Sequence, residues 1–187
     1  IAWGGFNVTE GGGDSAEVAL ELMPGNKIRK YDTWHAMGQG ATTGSLVVTL
    51  EALKEMHLTP EDIQLIQNDT KTCPDTGMAG ASRSLYMDGN ATIIAANKLL
   101  AAMRKEDGTL RTYDEMKAEG IETKYLGRYE TNTTPGLCRL DPNTGIGDPT
   151  PAFTYCLNLA EVEVDTKTGK TTVLKFTCVD FVGRIGN

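Results

Sequence analysis

The sequence has 187 residues, 40% of them hydrophobic and 23% charged, with a formal net charge of −7. That is enough chain for one compact domain with a real core or for two small ones, and nothing in it reads as collagenous, low-complexity or disordered. The negative balance and the lack of any Lys/Arg run argue against nucleic acid or anionic membrane as partners, and no apolar run is long enough to cross a bilayer.

Four cysteines, Cys73, Cys138, Cys156 and Cys178, form no CxxC pair and are joined by two histidines, which argues against a Cys/His zinc site. Reduced, buried thiols in a cytoplasmic protein are the expectation. The chain starts at Ile1 without the basic and apolar regions of a signal peptide, and "VDFVGRIGN" stops in a glycine-bearing turn. Both ends are expected to be cuts from a longer polypeptide.

The first predicted element is a hairpin, "AEVALEL" turning through "MPGN" into "KIRKYDTWHA". A helix follows in "GSLVVTLEALKEMH", with Leu46, Leu50 and Leu53 on one face. Thr59 and Pro60 are placed to start a short capped turn, and "IQLIQND" reads as the next strand. After the turn-rich "TKTCPDTGMAGA" comes the longest helix, "SRSLYMDGNATIIAANKLLAAMRKE". Its predicted apolar stripe runs through Leu85, Gly89, Ile93, Ala96, Leu100 and Met103. Gly89 costs a helix interior about 1 kcal/mol against Ala, so it is expected to mark close packing.

Residues 106–151 read as an irregular excursion holding one short amphipathic helix in "DGTLRTYDEMKAEG". A closing hairpin turns at "DTKTGK". Its apolar positions are Leu157 and Leu159, then Val162 and Val164, a parity switch near Ala160 that predicts a bulge. The whole reads as α+β, with mixed strands and three helices in one fragment spanning residues 1–187.

Two glycine-rich junctions lead from strand-like runs into helices. In "AMGQGATTG", Gly38, Gly40 and Gly44 make a GxGxxxG spacing, and Asp69 ends the next strand as a ribose-binding acid would. Against an NAD or FAD site, the preceding strand carries Lys27, Arg29, Lys30, Asp32 and His35, where the dinucleotide fold needs an apolar strand, and the chain both opens and closes with a hairpin. The plainest alternative is a turn with Gln39 exposed. The second junction, "DTGMAGASRS", adds Ser82 and Ser84 hydroxyls and the Arg83 guanidinium at a helix N-terminus. Two such junctions predict converging walls of one site for an anionic, hydrogen-bonding ligand.

Three stretches, "TWHAMGQGATTGSLVVTLEAL", "IQLIQNDTKTCPDTGMAGASRSLYMDGNA" and "LAEVEVDTKTGKTTVLKFTCVDFVGRIGN", together resemble the molybdenum-binding part of the xanthine oxidase family. The likeness leans toward bacterial aldehyde oxidoreductases carrying molybdopterin cytosine dinucleotide, and it covers nearly the whole chain. The resemblance implies part of a molybdenum cofactor-binding domain in an enzyme that hydroxylates an aldehyde or heteroaromatic carbon, with water as the oxygen source. It implies that Gln39 lies beside the metal and pterin, flanked by Gly38 and Gly40. Ala81, Ser82, Arg83 and Ser84 would hold the cofactor through backbone and hydroxyl groups. The metal would be held by the pterin dithiolene, so no protein metal ligand is implied.

This sequence has His35-Ala36-Met37 where many relatives have Thr-Glu-Met before Gly-Gln-Gly. His35 is expected to pack beneath the turn, with lining the site as the alternative. Arg83 has the alternative role of bridging a carboxylate inside the protein, and Tyr86 and Met87 are expected in the core. The family's catalytic glutamate and oxyanion-side residues belong to segments outside this chain, and no cysteine pattern for iron–sulfur ligation is present. The implied partners are the remaining segments of the parent polypeptide, with iron–sulfur clusters elsewhere, a small aldehyde as substrate and a homo-oligomeric parent. The isolated chain is expected to be inactive. Other readings are a non-enzymatic nucleotide- or phosphate-binding module, or an assembly domain whose apolar faces dock sibling segments.

Overall fold

A computed structural model describes residues 14–67, 69–80, 82–131, 141–147 and 155–181. The chain divides into two units, one built on a four-stranded sheet and one a two-stranded ribbon. Each is described by itself.

In the first unit, strand β1 (Ser15–Met23) alternates as a half-buried strand should. Ala16, Val18, Leu20 and Leu22 are fully buried, while Glu17 and Glu21 lie on the opposite face. The expected Pro-Gly-Asn turn forms, with Gly25 and Asn26 at positive φ, and returns the chain as β2 (Lys27–Asp32), antiparallel to β1 with Leu22 opposite Ile28. Helix α1 (Ala41–Ala52) buries the predicted leucine face, with Leu53 fully buried and Leu46 and Leu50 packed against the core. Thr59 then caps the 3-10 turn Pro60–Asp62 through a reciprocal capping box, as "TPED" predicts. Strand β3 (Ile63–Gln67) lies parallel to β2, making a strand–helix–strand crossover inside an otherwise antiparallel sheet.

Helix α2 (Ser84–Met103) covers the same sheet face as α1, and the short helix α3 (Tyr113–Ala118) starts on a Thr112/Glu115 capping box. Strand β4 (Lys124–Glu130) completes the order β3-β2-β1-β4 by pairing antiparallel with β1. The expectation of an irregular excursion over 106–151 is corrected here. "KYLGRYE" is a sheet strand whose Lys124, Leu126 and Arg128 are exposed while Gly127 is buried. Its charges masked a two-residue alternation, and only pairing with a strand more than 100 residues earlier makes it an element. The excursion's residues 132–140 and 148–151 lie outside the described residues.

The predicted stripe on α2 also needs correction. Leu100, Ala96 and Met103 are buried, but Leu85 and Ile93 are 53% and 45% exposed. The buried face instead runs through Met87, Ala91, Ala95 and Leu99. Size misleads here because, opposite β4, the helix lies so close to the sheet that only Ala91 and Ala95 fit against Gly127. A Cβ placed on Gly127 of β4 would stand 2.0 Å from the Ala91 carbonyl oxygen and 2.5 Å from the Ala95 nitrogen. Gly127, rather than Gly89, marks the close approach. Gly89 faces α1, where an added Cβ would meet Val48 at an ordinary 3.7 Å. The far face of the sheet is polar: Arg128 pairs with Glu17 at 2.8 Å directly across the strands, and Lys124 sits over the Tyr31 ring at 3.7 Å.

The second unit is the hairpin of β5 (Tyr155–Val164) and β6 (Thr171–Phe181). Its register shifts between Glu161 and Val162, placing the predicted bulge one residue past Ala160. Cys156 and Cys178 are exposed on this ribbon and Cys73 is half-buried, so the expectation of buried thiols does not hold for the two hairpin cysteines. All three are free thiols; Cys138 lies outside the described residues.

Candidate functional site

Strand β2 runs out at Asp32, and the glycine-rich segment 33–40 carries the chain to α1. Gly38 and Gly40 have φ of 102° and 83°, in the left-handed region that L side chains rarely occupy, and no heavy atom lies within 4 Å of a Cβ built on either. The glycines are therefore set by backbone conformation, and the space beside them is open. Gln39 is exposed and its amide clamps its own turn. Oε1 accepts the Met37 N–H at 2.5 Å, and Nε2 donates to the His35 carbonyl at 3.2 Å. His35 is exposed rather than packed beneath the turn. The residue filling that role is Trp34, at 2% exposure.

The second junction reaches α2 through Ser82, which is exposed with φ of 51°, and half-buried Ser84. Ala81 lies outside the described residues. Arg83 turns inward and is 1% exposed. Its Nε faces the Asp14 carboxylate, Nη1 donates to the Met78 carbonyl, and its guanidinium lies 5.1 Å from the Trp34 ring centre. Of the two roles open to Arg83, the structure supports the carboxylate bridge. The side chain staples both junctions from below instead of reaching outward.

The junctions lie side by side. A Cβ on Gly44, in the first turn of α1, would stand 3.0 Å from Leu85 Cδ1 in the first turn of α2, and Gly89 faces Val48 one turn further along both helices. Contacts that advance together in both sequences mean that the helices run parallel, with their N-termini abreast. Thr33 and Thr76 exchange hydrogen bonds between the two approaching segments, Thr33 N–H to Thr76 Oγ1 at 3.1 Å and Thr76 N–H to Thr33 Oγ1 at 3.2 Å. Neither α1 nor α2 has a side-chain N-cap, whereas Thr112 caps α3. Two positive dipole ends thus face the same side, where an anion or a hydrogen-bonding heterocycle would be favoured. Exposed Met37 and Met78, at 72% and 71%, add apolar surface at the two loops.

Beneath the junctions lies a buried charged network that the sequence reading missed. Lys30 Nζ is fully buried and donates to Asp88 Oδ2 and Thr92 Oγ1, both at 2.8 Å, with Asp32 Oδ2 at 3.7 Å. Asp32 also accepts from Ser45 Oγ at 3.1 Å, Gln67 Nε2 at 2.8 Å and Trp34 N–H at 3.3 Å. Burial pushes the Asp88 carboxyl up from the ordinary carboxylate range, against the pull of Lys30. Lys30 and Asp32 share the parity of core residue Ile28 along β2, a signal that could have revealed them. Asp69, in contrast, spends its carboxylate on its own turn, accepting from Lys71 N–H and Thr72 Oγ1, each at 2.9 Å. Those bonds hold it below the usual range. A ribose-binding role has no support in that geometry.

No described helix is long and apolar enough to cross a membrane. The family described as "Molybdopterin cofactor-binding domain" matches residues 1–187. The chain is 38% identical to the aldehyde oxidoreductase of Megalodesulfovibrio gigas over 176 residues, covering 94% of this chain and 19% of that protein. Among solved structures, the aldehyde oxidoreductase of Desulfovibrio desulfuricans superposes with a TM-score of 0.85 at 39% identity, over 97% of this chain and 20% of the other. The Desulfovibrio gigas enzyme gives a TM-score of 0.86 at 36% identity, with the same coverage of 97% and 20%. The chain thus spans about a fifth of these relatives' length. It belongs to the molybdopterin cofactor-binding domain family, as part of the molybdenum-binding region of the xanthine oxidase family.

Proposed function

We propose that this chain forms one wall of the cradle for molybdopterin cytosine dinucleotide in a molybdenum hydroxylase that oxidises aldehydes to carboxylic acids. The observation that carries the reading is the pair of parallel helices, abreast and uncapped, meeting at the open glycine turn. That arrangement fits the group. The space beside Gly38 and Gly40 admits a flat ring system against the backbone, and the uncapped N–H groups suit phosphate oxygens. When bound, the molybdenum cofactor supplies the two-electron oxidation that adds a water-derived oxygen to the aldehyde carbon.

The chain's own residues bind and orient. Gln39 keeps one amide hydrogen and one carbonyl lone pair free while its other halves pin the turn. It can therefore meet the pterin and metal ligands without first rearranging. Ser82 offers a hydroxyl, and Ser84 adds another at the start of α2. Arg83 and Trp34 hold that segment in place from the core side.

The general base, the iron–sulfur clusters and most of the aldehyde pocket are assigned to other segments of the parent, which we take to be a cytoplasmic homo-oligomer. The test is elemental and kinetic. The full-length protein should carry molybdenum and release CMP on acid hydrolysis, whereas the 187-residue chain alone should do neither and should not oxidise aldehydes. Turnover by the isolated chain would overturn the division of labour. A thermal shift with NAD but not with cytidine nucleotides would overturn the ligand.

A further inference from the structure

We propose that Lys30 is a positioning residue for the cofactor cradle, an ionic tie that sets the two glycine-rich junctions against each other through Asp32 and Asp88. The proposal rests on the cradle reading above and adds the means by which its two walls keep their spacing.

The partners of Lys30 are drawn from both walls. Asp32 ends β2 and accepts the N–H of Trp34, so it fixes the start of segment 33–40. Ser45, in the second turn of α1, donates to that same carboxylate, and Gln67, at the end of β3, donates to its other oxygen. Asp88 and Thr92 lie in the second and third turns of α2, the helix that follows the second junction. One ammonium therefore gathers β2, α1, β3 and α2 at the end of the sheet where the glycine turn emerges.

The charge count makes the tie specific. Among the described residues the network holds one cation and two carboxyls, and Asp88 Oδ1 is buried without a hydrogen-bond partner. Removing the ammonium leaves Asp32 and Asp88 facing each other out of water, and like charges in that setting force the elements apart or force a carboxyl to take up a proton. Asp32 alone would tolerate the loss, because three other donors serve it. The burden falls on Asp88. A neutral amide at position 88 should then relieve a Lys30 deletion, which a role in packing alone would not allow.

The test uses the full-length protein with Lys30→Met, Asp88→Asn and the double variant. It reads molybdenum and pterin per protomer, and hydrogen exchange of the amides in 33–44 and 76–84 measured on cofactor-free protein. Lys30→Met should cut cofactor content and speed exchange in both segments by about tenfold. Asp88→Asn, which weakens the tie at its α2 end, should lose about threefold, and the double variant should recover part of what Lys30→Met loses. Cofactor content and exchange unchanged in Lys30→Met would overturn the proposal. So would a double variant no better than Lys30→Met, including the case in which neither folds. Parent protein free of molybdenum would sink the cradle reading, while the exchange comparison would still decide whether Lys30 ties the two segments.

Discussion

Thr33 and Thr76 form a reciprocal pair in which each backbone N–H donates to the other's hydroxyl, at 3.1 and 3.2 Å, joining the segments that lead into α1 and α2. Thr76 is fully buried, so water cannot replace a lost partner there. Replacing either residue by Val orphans the opposite N–H and should cost about 1–3 kcal/mol. The double replacement should cost less than the sum of the singles, since the residues share both bonds. Denaturant melts of all three variants check this, and strictly additive losses would show that the pair does not act as a unit.

Gly127→Ala and Gly44→Ala separate two kinds of close approach. The first drives a Cβ into backbone atoms of α2 at 2.0 and 2.5 Å, which cannot give without parting helix from sheet. A loss of about 3 kcal/mol or more, or failure to fold, is expected. The second meets the flexible tip of Leu85 at 3.0 Å and gains helix propensity of about 1 kcal/mol, so it should be near neutral for stability. Thermal denaturation of the two variants ranks them directly.

Gly40 tests the open space beside the turn. Gly40→Ala must hold φ near 83° at a cost of about 1–2 kcal/mol, while Gly40→Asn suits the left-handed region better but still fills the space. If the cofactor lies there, both variants of the full-length protein should lose molybdenum, although Asn should melt higher than Ala. Full cofactor content in Gly40→Asn would place the cofactor elsewhere.

The start of α3 carries a pH-dependent contribution. Lys105 and the Thr112 N–H hold the Glu115 carboxyl down to about 2 from its ordinary 4.5. A lowered carboxyl stabilises the fold above its unfolded value, and that contribution fades as the pH falls from 4.5 toward 2. Amide exchange in residues 113–118 should therefore rise over that window, and Glu115→Gln should flatten the response. A titration of Glu115 near 4.5 would contradict the assigned bonds.

Much of the architecture was legible because its signals are local. The Pro-Gly-Asn hairpin, the Thr59 capped turn, the leucine face of α1 and the bulge of the last hairpin all follow from turn chemistry and periodicity within about ten residues. The two glycine junctions announced themselves in the same way, whereas their adjacency rests on a contact across 43 residues, between Thr33 and Thr76. Arg83 was harder, because a guanidinium at a helix start suits an outside anion and an inside carboxylate equally. Only the place of Asp14 and Trp34 beside it decided for the inside.

By itself, then, the sequence determined the local elements and the family, since each depends on neighbouring residues or on ordered motifs. Tertiary structure alone decided that "KYLGRYE" joins β1, that Ala91 and Ala95 rather than Leu85 and Ile93 lie on the buried face of α2, and that Lys30, Asp32 and Asp88 meet out of water. Those outcomes hang on pairings made across 58 to more than 100 residues of chain, where a residue's burial is set by what the fold lays over it.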